Sequence, residues 1–526
     1  MIEIDNESWL EAERYPRRFH HETLMPDTDL DAPSRFDRLP PASTDNNGLR
    51  RSDHSMRGPL VVLALSLAIS AVIFAAIFRG YPEYLRDYRQ TDNPDALHYV
   101  LLGRNVILKG FYSRCEVPPF APDMFRTPMY PLFAGGLDVW AGAAGIYVVQ
   151  AIIHAVTCCL VFVVARRHFG TTAGWFAGLL LATDLMLAIS NFEAMSEPLF
   201  NFFTVLVAYF LLVNTQPDEG KARRFWRLVL GGLSLSAAVF TRPAGQYLLA
   251  IYAVCLLIVG IRERKISRAI RDVVLLTFVT VIPLSFWVAR NYLLFSVPKL
   301  TYVSNMNLTY YVSVGAYQVE FGVPAKVAQE MVQHEFGLPP LVLAHNEWLS
   351  GMTVAELDAA LDAAWRKALF KYPRSLALAS VKAVVKASVS HNVGVLARMT
   401  GREWKAPGMG DLVRLRPEAF SRLLDNGTPL AMVFVWQLIH IAVTLLFAFV
   451  GLALSVKLPE NRGVTLVLAA IIAYFYATVM LFGPEAYCRC RSPILPFLYI
   501  LSGSGLAALW RRVRNADCSE NIKMTS

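Results

Sequence analysis

Charge is scarce in this 526-residue sequence. Asp, Glu, Lys and Arg make up 17% of it and hydrophobic residues 55%, whereas a soluble protein is about 25% charged. Mean hydropathy is +0.40. No set of water-soluble domains hides so much apolar surface, so a soluble multidomain protein is excluded, and so is a disordered chain. Cysteine is scarce too: seven residues exclude a disulfide scaffold. Cys158, Cys159 and Cys255 sit inside apolar runs as small hydrophobes, while a bond from Cys115 to Cys488 or Cys490 is conceivable in an oxidising compartment. Histidines at H-x-x-x-H spacing are missing, so no zinc site is expected. The net charge of +9 does not point to nucleic acid in a chain this apolar; in membrane proteins Arg and Lys mostly encode orientation.

What the sequence has is a series of apolar runs of membrane-crossing length. The first runs from Pro59 to Phe78, long enough for a helix to span. Others cover about 145–165, 172–189, 197–213, 228–240, 245–261, 273–289, 430–456, 463–483 and 493–510, which gives an all-α polytopic membrane protein of about ten transmembrane helices. Basic clusters punctuate the runs at Arg50/Arg51/Arg57, Arg166/Arg167, Lys221/Arg223/Arg224/Arg227, Arg262/Arg264/Lys265/Arg268, Lys457/Arg462 and Arg511/Arg512/Arg514. If all are cytoplasmic, 172–213 and 228–261 each form a hairpin, broken at Asn191–Pro198 and at Thr241–Arg242–Pro243. Both termini are then cytoplasmic.

The expected organisation follows. Residues 1–57 form a disordered cytosolic tail, 58–300 a transmembrane module with a first outer loop at 79–144, 301–429 an outer-face region, 430–510 the C-terminal spans and 511–526 a second cytosolic tail. Val354–Phe370 and Leu376–Leu396 look amphipathic and suit the membrane surface or the cover of a cavity.

The informative charges are those without a topological reason. Arg242, Arg489 and Arg491 fall in short outer turns, and Glu193 and Glu197 in the turn before the fourth run. The first outer loop carries Asp87, Arg89, Asp92, Asp95, Arg104, Arg114 and Arg126. Carboxylates and arginines on one side suit a general base beside a cationic clamp for an anion. Blander readings exist: solvation for Asp87, Arg89 and Asp92, snorkelling for Arg242, and a helix first turn beside proline for Glu197.

The order of short motifs adds a resemblance. The loop reads Asp95-Ala-Leu-His-Tyr99, Gly103-Arg104-Asn105 and Lys109-Gly110-Phe111-Tyr112, then Phe125-Arg126-Thr127-Pro128-Met129-Tyr130-Pro131-Leu132-Phe133. Later come Ala165-Arg-Arg-His-Phe169-Gly170, Ser196-Glu197-Pro198-Leu199-Phe200, Thr241-Arg242-Pro243, Ala289-Arg290-Asn291-Tyr292 and Arg489-Cys-Arg491-Ser-Pro493. This series resembles the GT-C glycosyltransferases that use polyprenyl-phosphate sugars, in particular the protein O-mannosyltransferase-like enzymes and the aminoarabinose transferases of lipid A. One departure is Asp95-Ala96, where many relatives carry Asp-Glu.

The resemblance implies a GT-C-like bundle with a large outer-face loop region, and an inverting transfer from a polyprenyl-phosphate sugar donor to a lipid, glycan or protein acceptor. It implies Asp95 as base, with Asp92 as the alternative, and Arg489 and Arg491 on the donor phosphate. Arg242 and Arg126 are further donor contacts. Glu197 orients the sugar or an arginine, and His98, Tyr99 and Tyr130 line the sugar pocket. Membrane lipids are partners; no nucleic acid and no cofactor are expected, and no motif supports a divalent metal. A bacterial inner membrane with the site facing outward is implied. The rival classes are a transporter or flippase of lipid-linked sugars and a non-catalytic assembly factor. Convergence of Asp95, Glu197 and Arg491 on one cavity separates the transferase from both.

Overall fold

A 24-residue apolar segment folds as helix α1, Arg57–Gly80, about 36 Å long and sufficient to cross a bilayer. The computed structural model describes residues 56–90, 93–213, 220–341, 351–405, 416–483 and 486–524; the tail expected over 1–57 lies almost wholly outside the described residues. Helix α2, Pro94–Lys109, starts at Asn93, whose side chain accepts from the Asp95 backbone N–H, and stops at Gly110 in the left-handed conformation. Helix α3, Met129–Phe169, has 41 residues. At about 60 Å it is twice as long as the hydrocarbon layer is thick. Gly142, at φ +65°, kinks it and separates a membrane-crossing part from a part that projects beyond.

Helix α4, Thr171–Ala182, ends early because Asp184 takes an extended conformation and caps a new short helix, Leu185–Ser190. The single run expected over 172–189 is therefore two pieces. Next come α5, Glu197–Ala208, α6, Lys221–Thr241, α7, Leu248–Arg262, and α8, Ile266–Phe295. The break between α6 and α7 falls at Arg242–Pro243, where proline lacks the N–H to continue the helix. Helices α9, Val354–Lys371, and α10, Pro373–Val389, follow. The membrane bundle resumes with α11, Thr428–Ser455, α12, Pro459–Met480, and α13, Leu495–Met524. Helix α13 continues past residue 510, through part of the segment expected as a tail.

Among the described residues every element is helical, as an all-α bundle requires. Seven helices among the described residues are long and apolar enough to cross a membrane, and Thr171–Ala182 and Glu197–Leu212 are shorter apolar helices. Of the ten runs, 228–240 is not among the seven: it lies in α6, whose first two turns carry Lys221, Arg223, Arg224 and Arg227.

Two contacts set the position of the site. Helices α2 and α3 cross backbone to backbone: a Cβ on Gly103 would stand 1.9 Å from the Pro131 carbonyl oxygen, and one on Gly135 would stand 2.4 Å from Gly103. Glycine alone permits that approach. On the far side, Met124 and Phe125 pack into an apolar cluster with Tyr302, Tyr310, Leu357 and Leu361. The helices between residues 303 and 371 thus have a core of their own and lie over the loop that joins α2 to α3. Residues 354–370 serve that core with Leu357, Leu361, Ala364 and Ala368.

Candidate functional site

Asp95 occupies the first turn of α2, directly after Pro94, where helix N–H groups favour a carboxylate. Its Oδ1 accepts from Arg126, and its Oδ2 accepts from Arg489 Nη1 at 2.9 Å. The Nε of Arg489 donates to Glu197 Oε1, and the same oxygen forms an ion pair with Arg242 at 2.5 Å. Five residues from five places in the chain thus form one line: Arg126, Asp95, Arg489, Glu197 and Arg242. Three guanidiniums face two carboxylates, which leaves one positive charge in excess.

Local structure explains each position. Glu197 is in the first turn of α5 next to Pro198, Arg242 caps the end of α6, and Arg489 lies in the short turn Cys488–Arg491 ahead of Pro493. Arg126 ends a firmly tied loop. Asp123 accepts from the Arg126 backbone N–H at 3.1 Å and forms a buried ion pair with Arg114. Tyr112 donates to the Arg126 carbonyl at 3.0 Å, and Arg290 donates to that of Asp123 at 2.7 Å.

Exposure differs along the line. The Asp95 side chain is 25% accessible and that of Glu197 is 2%, so Asp95 is the carboxylate a second molecule can reach. Burial pushes Asp95 upward, but Arg126 and Arg489 outweigh it and hold its carboxyl well below the usual range. Glu193, in the turn before α5, behaves in the opposite way: burial raises its pKa to about 7, more than Arg489 lowers it, with Glu197 adding to the rise.

The aromatic residues are arranged in layers. Arg126 lies 4.7 Å over the Tyr99 ring and 4.5 Å over Phe125 and donates to the Tyr99 hydroxyl at 3.3 Å. Tyr99 meets Tyr130 edge-on at 4.8 Å. Tyr130 is fully buried and donates to Gln150 Oε1 at 2.7 Å; it supports Tyr99 from behind and does not face the opening. His98 packs edge-on against Phe125.

Arg491 is not brought to the line, so of the three residues expected to converge only Asp95 and Glu197 do, joined through Arg489. Its Nη1 donates to the carbonyls of Ala387 and Ser388 at 2.8 and 2.6 Å, and its Nη2 lies on the Met186 sulfur. It ties the last turn of α10 to the bundle. Asp92 lies outside the described residues. Cys115, Cys488 and Cys490 are free thiols. Among the described residues no three His, Cys, Asp or Glu side chains are grouped to hold a metal ion.

Gln150 was not anticipated. Its Nε2 donates to the carbonyls of Asn191 and Glu193, each at 2.8 Å, which fixes the turn that presents Glu197. A lone glutamine in the apolar run 145–165 was the available signal.

Residues 127–287 match the model of the dolichyl-phosphate-mannose-protein mannosyltransferase family. The matched segment contains Tyr130, Glu197 and Arg242 and leaves Asp95, Arg126 and Arg489 outside. No curated protein matches the chain. Among solved structures, the chain is similar to the archaeal oligosaccharyltransferase AglB from Archaeoglobus fulgidus, in complex with an inhibitory peptide and a dolichol-phosphate. The identity is 14% and the TM-score 0.46, over 88% of this chain and 52% of that one. It is also similar to ArnT from Cupriavidus metallidurans bound to undecaprenyl phosphate, with 17% identity and a TM-score of 0.35, over 84% of this chain and 77% of that one. The chain spans about half the length of the oligosaccharyltransferase. Over residues 127–287 this helical membrane protein is thus similar to the dolichyl-phosphate-mannose-protein mannosyltransferase family.

Proposed function

We propose that the protein transfers a sugar from a polyprenyl-phosphate donor to an acceptor hydroxyl, with inversion at the anomeric carbon, on the side of the membrane that carries Asp95. The observation that carries this reading is the line from Arg126 to Arg242, with its accessible carboxylate and its excess positive charge. In the reaction the acceptor oxygen forms a bond to the anomeric carbon and its proton passes to Asp95. The bond from that carbon to the phosphate oxygen breaks, and the polyprenyl phosphate leaves with the electron pair. A phosphate monoester anion needs no general acid if cations receive its charge.

Arg489 has the central role. At rest it is shared between Asp95 and Glu197, and Asp95 so clamped is a weak base. A donor phosphate competes for the guanidinium, for which phosphate is a good partner. Drawing Arg489 toward the phosphate removes a positive neighbour from Asp95 and raises its basicity, so the base becomes active when the donor is in place. Arg126 and Arg242 are secondary phosphate or sugar contacts. Glu197 holds Arg489 and Arg242 in position, and His98 and Tyr99 face the sugar. Arg491, spent on two backbone carbonyls, anchors α10 and is assigned no phosphate contact; Tyr130 is a support.

The test is transfer by membranes that contain the protein, with labelled polyprenyl-phosphate sugars and envelope glycan and glycolipid extracts as acceptors. Label transfer that is lost in Asp95→Asn, at unchanged membrane insertion, supports the reading. An unimpaired variant overturns it.

A further inference from the structure

A second polar site lies at the other end of α2. A cavity of 510 Å³ is lined by Arg86, Arg89, Arg104 and Lys109, by Asp87, Glu116 and Asp138, and by apolar groups that include Leu108 and the kink residue Gly142. Its volume suits a small-molecule or headgroup ligand. None of the five residues around Asp95 lines it. Asp95 and Lys109 are fourteen residues apart on one helix, a rise of about 20 Å.

The charges within it are unevenly engaged. Asp138 is buried and held by Arg104 at 2.6 Å. Asp87 accepts from the Arg89 backbone N–H at 2.9 Å. Glu116 meets Arg89 at 3.4 Å in a pair that is more than half exposed on both sides, and such a pair contributes little. Lys109 reaches the Glu116 carbonyl at 2.9 Å and lies 4.7 Å over the Phe120 ring. Arg86 is exposed; its backbone N–H donates to the Glu83 carbonyl at 3.0 Å, and its side chain has no hydrogen bond or ion pair among the described residues. Four cations against three carboxylates leave a positive surplus, concentrated on Arg86 and Arg89.

Apolar groups adjoin the lining in sequence. Leu108 lines the cavity and is more than half exposed, as is Phe111, two residues after Lys109; Trp140, two residues before Gly142, is 87% exposed. Arg86 and Arg89 follow the end of α1 by less than ten residues, so the cavity sits at the level where that span leaves the bilayer. Exposed tryptophan is characteristic of that level. The kink at Gly142 matters here: φ is +65° and, its own chain neighbours and helix backbone aside, no atom lies within 4 Å of the place a Cβ would occupy, which leaves open space at this part of the cavity wall. Solvated surface charges explain neither the concavity nor the exposed aromatic residues beside it in sequence.

We infer that this cavity binds the net-anionic phosphate headgroup of a membrane phospholipid, with its apolar part against Leu108, Phe111 and Trp140, as a lipid site separate from the one at Asp95. Arg86 and Arg89 contact the phosphate, and Lys109 contributes its charge.

The full-length protein in mixed micelles, probed with labelled phosphatidylglycerol and phosphatidylcholine, tests this by a readout independent of transfer. Wild type is expected to bind phosphatidylglycerol at least about tenfold more tightly than phosphatidylcholine, since each anionic contact with arginine is a charge-assisted hydrogen bond. Arg86→Ala/Arg89→Ala/Lys109→Ala is expected to abolish that preference. Arg86→Glu alone, at a side chain with no structural partner, must weaken it and guards against a folding artefact. Arg489→Ala is expected to retain it. Equal binding of the two lipids by wild type overturns the inference, as does a preference that survives Arg86→Glu. Loss of the preference in Arg489→Ala would assign the lipid to the Asp95 site. Displacement of phosphatidylglycerol by equimolar inorganic phosphate would show a site for free anions and also overturn it.

Discussion

Arg489 and Asp95 are 394 positions apart in the sequence and meet at 2.9 Å. The same guanidinium reaches Glu197, so a single arginine joins the two carboxylates of the site. Replacing either end has a different consequence, and the difference separates chemistry from architecture.

Asp95→Asn keeps the shape of the side chain and a hydrogen-bond acceptor for one arginine but removes the proposed base. The expected result is a fall in kcat of about 10²–10⁴-fold, the usual contribution of a general base, with a small change in KM for the donor. Single-turnover transfer with labelled donor measures it. A fall confined to KM would move Asp95 from base to binding group.

Arg489→Ala and Arg491→Ala are expected to diverge although only one residue lies between them. Arg489→Ala removes the proposed phosphate contact and leaves Glu197 with Arg242 alone, so donor retention is expected to be lost. Arg491→Ala frees two carbonyls at the end of α10, and loss of hydrogen bonds to a charged donor costs about 1.5–3 kcal/mol each at most. Its melting temperature falls while the folded fraction still retains donor. Equal donor retention by the two variants would refute the division of roles.

That division was missed in the sequence, where both arginines were placed on the donor phosphate. Residues two apart in a helical turn do not share a face, so Cys488–Arg491 delivers one arginine to the site and turns the other away. Glu197 was legible as a first-turn carboxylate beside proline at the start of an apolar run, and Asp95 through the order of motifs in the first outer loop. Their link through Arg489 was not, because no local pattern encodes a contact across nearly four hundred residues. The run 172–189 misled for a comparable reason: Asp184 looks like an isolated charge, but its side chain caps Met186 and Leu187 and divides the helix. The core built by Leu357 and Leu361 was also hidden, since an amphipathic helix reads the same against lipid as against protein.

Glu193 makes stability depend on pH. Its carboxyl titrates at about 7 in the folded protein, against an ordinary value of 4.5. Between these values the folded state holds a proton that the unfolded state has released, so stability falls as pH rises from about 4.5 to about 7 and levels off above. The shift corresponds to a few kcal/mol, on the order of 3. Glu193→Gln is expected to remove this slope, so that its melting temperature exceeds that of wild type at pH 8 and matches it near pH 4.5. Parallel thermal curves across that range would exclude charge burial at Glu193.

The crossing of α2 and α3 offers a test of how Asp95 is positioned. A methyl group on Gly103 would collide with the Pro131 carbonyl, and one on Gly135 with the α2 backbone, whereas one on Gly136 would meet only Ile107 Cδ1 at 3.6 Å. The first two contacts are with backbone that cannot rotate away, so α2 must shift. Because Asp95 lies two turns before Gly103 on that helix, its carboxylate moves away from Arg489. Gly103→Ala and Gly135→Ala are therefore expected to lower transfer at least tenfold and to destabilise by about 1–3 kcal/mol, the usual range for overpacking. Gly136→Ala adds a better helix former at a tolerant position and is expected to leave transfer intact and to raise the melting temperature slightly. Transfer rates and thermal melts of the three variants check the ordering. Similar losses in all three would mean that helix flexibility, rather than the close approach of Gly103 and Gly135, sets the position of Asp95.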